Sequence, residues 1–145
     1  MERFKIDHFK KNNPGKEFPW HRTLASSDME EVCRRLADIL QVPSGNNLDI
    51  VNALYSCSQV LEENNAETEG FSLSELTESI NISPTENVYI NWYRFDNIDE
   101  IRFVDLCKYF EDIWYPGPDD IDIFDSTLSW ILSITHDGVI RLAQF

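Results

Sequence analysis

At Val88-Tyr89-Ile90-Asn91-Trp92-Tyr93-Arg94-Phe95 the chain stops repeating every three or four residues and begins repeating every two. Val88, Ile90 and Trp92 fall on one side and Tyr89, Tyr93 and Phe95 on the other. A run this rich in β-branched and aromatic residues suits a strand covered on both faces. Downstream, Asp120-Ile121-Asp122-Ile123 alternates without a break, which predicts a half-buried strand with an acidic outer face. Residues 128–135 and 139–142 read as two more strands. His136-Asp137-Gly138 lies between them, and an Asp-Gly pair suits a tight hairpin because both positions tolerate positive φ. Two pieces of the second half do not follow the alternation. Phe103, Leu106, Cys107 and Phe110 predict a helix over 99–110, and Trp114-Tyr115-Pro116-Gly117-Pro118 reads as a stiff aromatic turn.

Upstream the period is helical. Ser27 followed by Glu30 resembles a capping box, and Met29, Val32, Cys33, Leu36, Ile39 and Leu40 form one apolar stripe that Pro43 brings to a stop. Asn47 is placed to cap a second helix over 47–63, with Leu48, Val51, Leu54, Tyr55 and Leu61 facing inward. Residues 62–70 form a polar acidic loop, and Ser72 with Glu75 caps a brief third helix ending at Ile80. Residues 1–25 keep no period and read as a basic, irregular lead-in or arm; residues 26–145 read as a single acidic domain. The expected class is α+β, with N-terminal helices packed on a small, mostly antiparallel sheet formed by the C-terminal half.

Composition limits function. The 145 residues carry 12 Lys+Arg against 26 Asp+Glu, a formal charge of −14, with 12% aromatic residues, more than a disordered acidic chain holds. Residues 1–22 hold six of the cations against three acids, net +3, so residues 23–145 carry six cations against 23 acids, net −17. Such a body repels phosphate backbones, so direct nucleic-acid binding is not expected, whereas a basic protein would be drawn to it. No apolar stretch approaches a membrane span, and the N-terminus lacks an apolar signal core, so a cytoplasmic protein is expected. Three cysteines without a CxxC pair fit reduced thiols rather than a disulfide.

The usual chemistries lack their residues. His8, His21 and His136 are isolated and no cysteine completes a zinc set, so no metal is expected. The acidic run 119–125 lacks the glycine of a calcium loop, and neither GxxxxGK[ST] nor GxGxxG occurs, so no cofactor is expected either. Cys57 or Cys107 with His136 is the one nucleophile pairing to weigh, and both cysteines sit in apolar patterns typical of a core. What stands out is a surface type: Trp114 and Tyr115 beside Asp119, Asp120, Asp122 and Asp125, aromatic anchors flanked by carboxylates that would steer a cationic partner.

Ser27-Asp28-Met29 through Leu40, then Val42-Pro43, then Gly45-Asn46-Asn47-Leu48-Asp49 resembles barstar-type ribonuclease inhibitors in the order of its signals. The resemblance implies that Asp49 faces a bound nuclease; the family's second interface aspartate, one helical turn on, would fall at Ala53. More broadly, the acidic body with its Trp-Tyr-Pro-Gly, Asp-Asp-Ile and His-Asp-Gly segments resembles bacterial immunity proteins, which neutralise the toxin of a rival or sibling cell. The function expected from this is that of a non-catalytic immunity protein that binds a basic cognate toxin, a nuclease by preference. The candidate contacts are Trp114, Tyr115, Asp119, Asp120, Asp122, Asp125 and Asp49. The rival readings are an acidic nucleic-acid mimic that blocks a DNA-binding enzyme, and a small enzyme with a pocket around His136 or a cysteine.

Overall fold

The period-two segments supply the centre of one antiparallel sheet, but the strand expected over 88–95 ends at Asn91, and Tyr93, Arg94 and Phe95 form a turn with positive φ. The computed structural model describes residues 1–145. In chain order its elements are α1 (Arg3–Asn12), β1 (His21–Thr23), α2 (Ser26–Leu40), α3 (Asn47–Cys57), β2 (Gln59–Asn65), α4 (Leu73–Ser79), β3 (Asn87–Asn91), β4 (Ile98–Arg102), α5 (Phe103–Lys108), α6 (Phe110–Ile113), β5 (Ile121–Phe124), β6 (Trp130–Ile134) and β7 (Val139–Gln144). The seven strands lie in the order β1-β4-β3-β5-β6-β7-β2, every neighbouring pair antiparallel. The fold is α+β, as the pattern predicts, with the sheet larger than expected: the two strands from the first half form its two edges. No helix is long and apolar enough to cross a membrane.

Strand alternation divides the core into two layers. Val88, Ile90, Ile101, Ile123, Leu132 and Ile140 point to the face covered by α4, α5 and α6. Ile98, Phe124, Ile131 and Ala143 point to the other face, where Leu36 and Ala37 of α2 and Ile50 and Leu54 of α3 meet them. Central isoleucines such as Ile90 and Ile123 are fully buried, each contributing about 1.5–3 kcal/mol by transfer from water. The β6–β7 hairpin forms where expected, with Gly138 at φ 81 as the left-handed residue.

Several expectations are corrected. Residues 1–25 are no loose arm: they supply α1 and β1, and Lys5 and Phe9 of α1 are fully buried. The start of α2 owes nothing to Ser27; the carbonyl of Ala25 accepts from Asp28 and Met29 instead. Its end is as predicted: Gln41 turns left-handed (φ 57) just before Pro43. Asn46, one residue before the expected cap, accepts from the Leu48 N–H and starts α3. That helix ends at Cys57, six residues short of the prediction, because 59–65 is drawn out to pair with β7.

The predicted helix over 99–110 is a strand followed by two short helices. Asp99 and Glu100 interrupt its apolar pattern, yet both are buried because each has internal partners. Glu100 accepts from Arg22 and from the Asn87 amide. Asp122, expected on a solvated outer face, is partly buried on the side of the sheet that α3 overlies.

Candidate functional site

The segment 114–125 does not present its aromatic and acidic residues to one side. Trp114 is buried against the α6 side of the sheet, stacked on Phe110 at 5.7 Å, and its indole N–H donates to the Asp119 carbonyl at 3.0 Å. Asp119 is buried too: its carboxylate accepts from the Tyr115 N–H at 2.8 Å and closes the turn that the two prolines stiffen. Strand alternation then places Asp122 on the opposite face, where Ser133 Oγ and Asn91 Nδ2 donate to it at 2.5 and 2.8 Å. Burial pushes the Asp122 carboxyl above its ordinary range, and these two hydrogen bonds pull it partly back.

Asp125 is 1% exposed and saturated, accepting from the Thr85 N–H, the Thr127 N–H and hydroxyl, and the Trp130 indole. Asp120 is exposed and holds both the backbone N–H and the ring of His136, which lifts the imidazole above its ordinary pKa. Asp49 sits in the first turn of α3, across the sheet from Trp114. The seven candidates therefore form no single patch. Trp114, Asp119 and Asp125 are framework residues.

The cation that the Trp–Tyr–Asp cluster was expected to attract is already present, supplied by the chain itself. Lys5 Nζ is ion-paired to Asp119, donates to the Ile113 carbonyl at 2.6 Å, and lies 4.4 Å from the Trp92 ring and 4.5 Å from the Tyr115 ring. Carboxylate, carbonyl and two aromatic faces complete a cage around the ammonium. Next to it Asp99 accepts from the Met1 amino group, the Thr23 hydroxyl and the Trp92 indole. Three of the positive groups at the start of the chain, the Met1 amine, Lys5 and Arg22, are thus held in ion pairs with Asp99, Asp119 and Glu100, while Lys10, Lys11 and Lys16 stay exposed.

The free negative charge lies elsewhere. Between Arg35 and Arg94 there is no Lys, Arg or His, while nine acids occur: Asp38, Asp49, Glu62, Glu63, Glu67, Glu69, Glu75, Glu78 and Glu86. The fold gathers six of these, on edge strand β2, the turn after it and α4; all six are exposed and none has a cationic partner. Glu63, Glu69 and Glu75 line a groove of about 340 Å³ with Phe71 against it. Because β2 pairs only with β7, its outer backbone edge stays open beside these carboxylates. The cation-free interval was visible in the sequence, but not its convergence on one edge.

Thiol chemistry has poor starting material. Burial pushes the Cys107 thiol up to about 11 and raises Cys33 as well, so both are protonated at neutral pH. Cys57 is exposed and donates to the Leu54 carbonyl. No group of three His, Cys, Asp or Glu side chains is placed to hold a metal ion. Comparison with protein-family models, curated proteins and solved structures returns no match.

Proposed function

We propose that this chain is an immunity protein that binds a cognate bacterial toxin in the cytoplasm and neutralises it without catalysis. The observation that carries the reading is the cation-free acidic end formed by β2 and α4, with an open strand edge and the Phe71 groove at its centre. A toxin acting on nucleic acid carries a cationic groove for phosphate, which makes a nuclease the class this surface fits best. Six uncompensated carboxylates draw such a protein in, and the open edge of β2 offers it main-chain hydrogen bonds. Asp49, exposed Asp120 and half-exposed Tyr115 become peripheral contacts; Trp114, Asp119 and Asp125 act by holding the framework.

The test uses the purified full chain and the basic toxin domain encoded beside its gene. Size-exclusion chromatography at low salt should give a complex, with an association rate that falls as salt rises. Replacing Glu62, Glu63, Glu69 and Glu75 with Lys should slow association by at least about tenfold. Absence of a complex at low salt, or a complex indifferent to the four substitutions, overturns the reading.

A further inference from the structure

A second concavity lies on the opposite side of the sheet from the Lys5 cage, where α3 stands off β5, β6 and β7 and leaves a cleft of about 230 Å³. Val51 and Leu54 form an apolar wall, and Asp122 is part of the lining. Each Asp122 oxygen accepts one internal hydrogen bond, from Ser133 or Asn91, and a carboxylate has about four acceptor sites, so roughly two remain for a ligand.

Tyr55 and Tyr93, 64% and 50% exposed, stand at the mouth, each with a guanidinium over its ring: Arg141 at 4.1 Å from Tyr55 and Arg94 at 4.8 Å from Tyr93. In a chain with more than twice as many acids as bases, neither arginine has a carboxylate partner. Arg141 is instead fixed by donating to Ser58 Oγ and to the carbonyls of Tyr55 and Ser58.

The backbone at the mouth is unusual as well. Tyr93, Arg94 and Phe95 are consecutive non-glycine residues at φ 97, 52 and 59. Left-handed conformations of this kind are held only where the surroundings enforce them, and they cluster at ligand clamps. The enforcing bond is Asn91 Oδ1, which accepts from the Phe95 N–H at 2.8 Å while the same amide's Nδ2 holds Asp122. One asparagine therefore fixes both the turn that carries Tyr93 and Arg94 and the carboxylate inside the cleft.

We propose that this cleft binds a small anionic ligand built on a planar heterocycle with adjacent ring N–H and amino donors, the donor pattern of guanine. Asp122 takes the paired donors, Tyr55 and Tyr93 flank the ring, and Arg94 and Arg141 meet the anionic group at the mouth. The volume accepts the ring and leaves the anion outside, where the arginines are; it is below the ~300–1,000 Å³ of pockets that enclose drug-sized ligands.

The probe is guanosine monophosphate, titrated into the ¹⁵N-labelled full chain at low salt. Saturable shifts should appear at Val51, Tyr55, Tyr93 and Arg141 with Kd of about 1 mM or tighter. Adenosine monophosphate, which presents an acceptor where the guanine ring has its N–H, should bind at least about tenfold more weakly. D122N should erase that preference, and R141Q should weaken binding of the monophosphate while leaving guanosine unchanged. No saturable shift by about 5 mM, shifts located away from the cleft, or equal binding of the two monophosphates overturns the proposal. The wild-type shift map and the nucleotide comparison decide the matter even if D122N fails to fold.

Discussion

Two sets of carboxylates in this molecule live under opposite conditions. Asp99, Asp119 and Asp125 are each at most 7% exposed and enclosed by donors: the Met1 amine, Lys5, two indoles, two hydroxyls, and backbone N–H groups. Glu62, Glu63, Glu67, Glu69, Glu75 and Glu78 are exposed and make no ion pair. The first set joins distant parts of the chain, since a buried charge is tolerable only when fully partnered. The second set adds little to stability and is free to act outward. A net charge of −14 is therefore no uniform coat but a neutralised interior plus a concentrated exterior pole.

Removing a cation from the interior set should produce the largest effect. Lys5→Met keeps the aliphatic stem, leaves Asp119 buried without its counter-ion, and should cost about 3–5 kcal/mol in urea unfolding. Pairing it with Asp119→Asn should recover part of that loss. A midpoint equal to wild type in the single variant would refute the cage. Asp125→Ala strands the Trp130 indole N–H and two backbone N–H groups, and a loss of about 3 kcal/mol is expected from the same measurement. The exterior set should behave in the opposite way. Lys at positions 62, 63, 69 and 75 should move stability by only about 0.5 kcal/mol per site while slowing capture of a cationic partner, and a cooperative loss of folding would erase the distinction drawn here.

The smallest effect belongs to a pair lying between the two sets. The His136 pKa is raised above 6.5, first by its hydrogen bond to Asp120 and then by that carboxylate's charge. A raised folded-state value means that this contribution is complete below about 6.5 and disappears as pH climbs through the folded pKa. An NMR titration of the ring should therefore show a midpoint above the ordinary imidazole value that Asp120→Asn lowers, with Asp137 and Glu67 still raising it. No measurable change in stability need accompany it, because the pair is exposed.

Legibility in the sequence followed the same division. β5 and the β6–β7 hairpin could be read because their inward isoleucines alternate cleanly and Asp137-Gly138 marks the turn; α4 could be read because Ser72 Oγ does accept from the Glu75 N–H. α1 was hidden because only two of its residues are buried and one of them is a lysine. β4 was hidden because Asp99 and Glu100, which look like solvent-facing residues, point inward to partners up to 98 positions away in the chain. β1 and β2 are edge strands, where one-sided exposure weakens the alternation. The expectation that residues 114–125 share one face failed for a related reason. Neighbouring acids at 119–125 look like a cluster in one dimension, and a strand sends alternate ones to opposite faces.

The order of the sheet has a consequence for synthesis. Both of its borders, β1 and β2, leave the ribosome before any of the five strands that separate them, and β2 gains its sole neighbour only when β7 emerges. Completion of the sheet must wait until β7 has emerged and can pair with residues about eighty positions upstream, a non-local topology that folds slowly. Nascent chains arrested before Val139 hold the acidic pole as an unanchored ribbon, so its geometry comes into being only with the final strand.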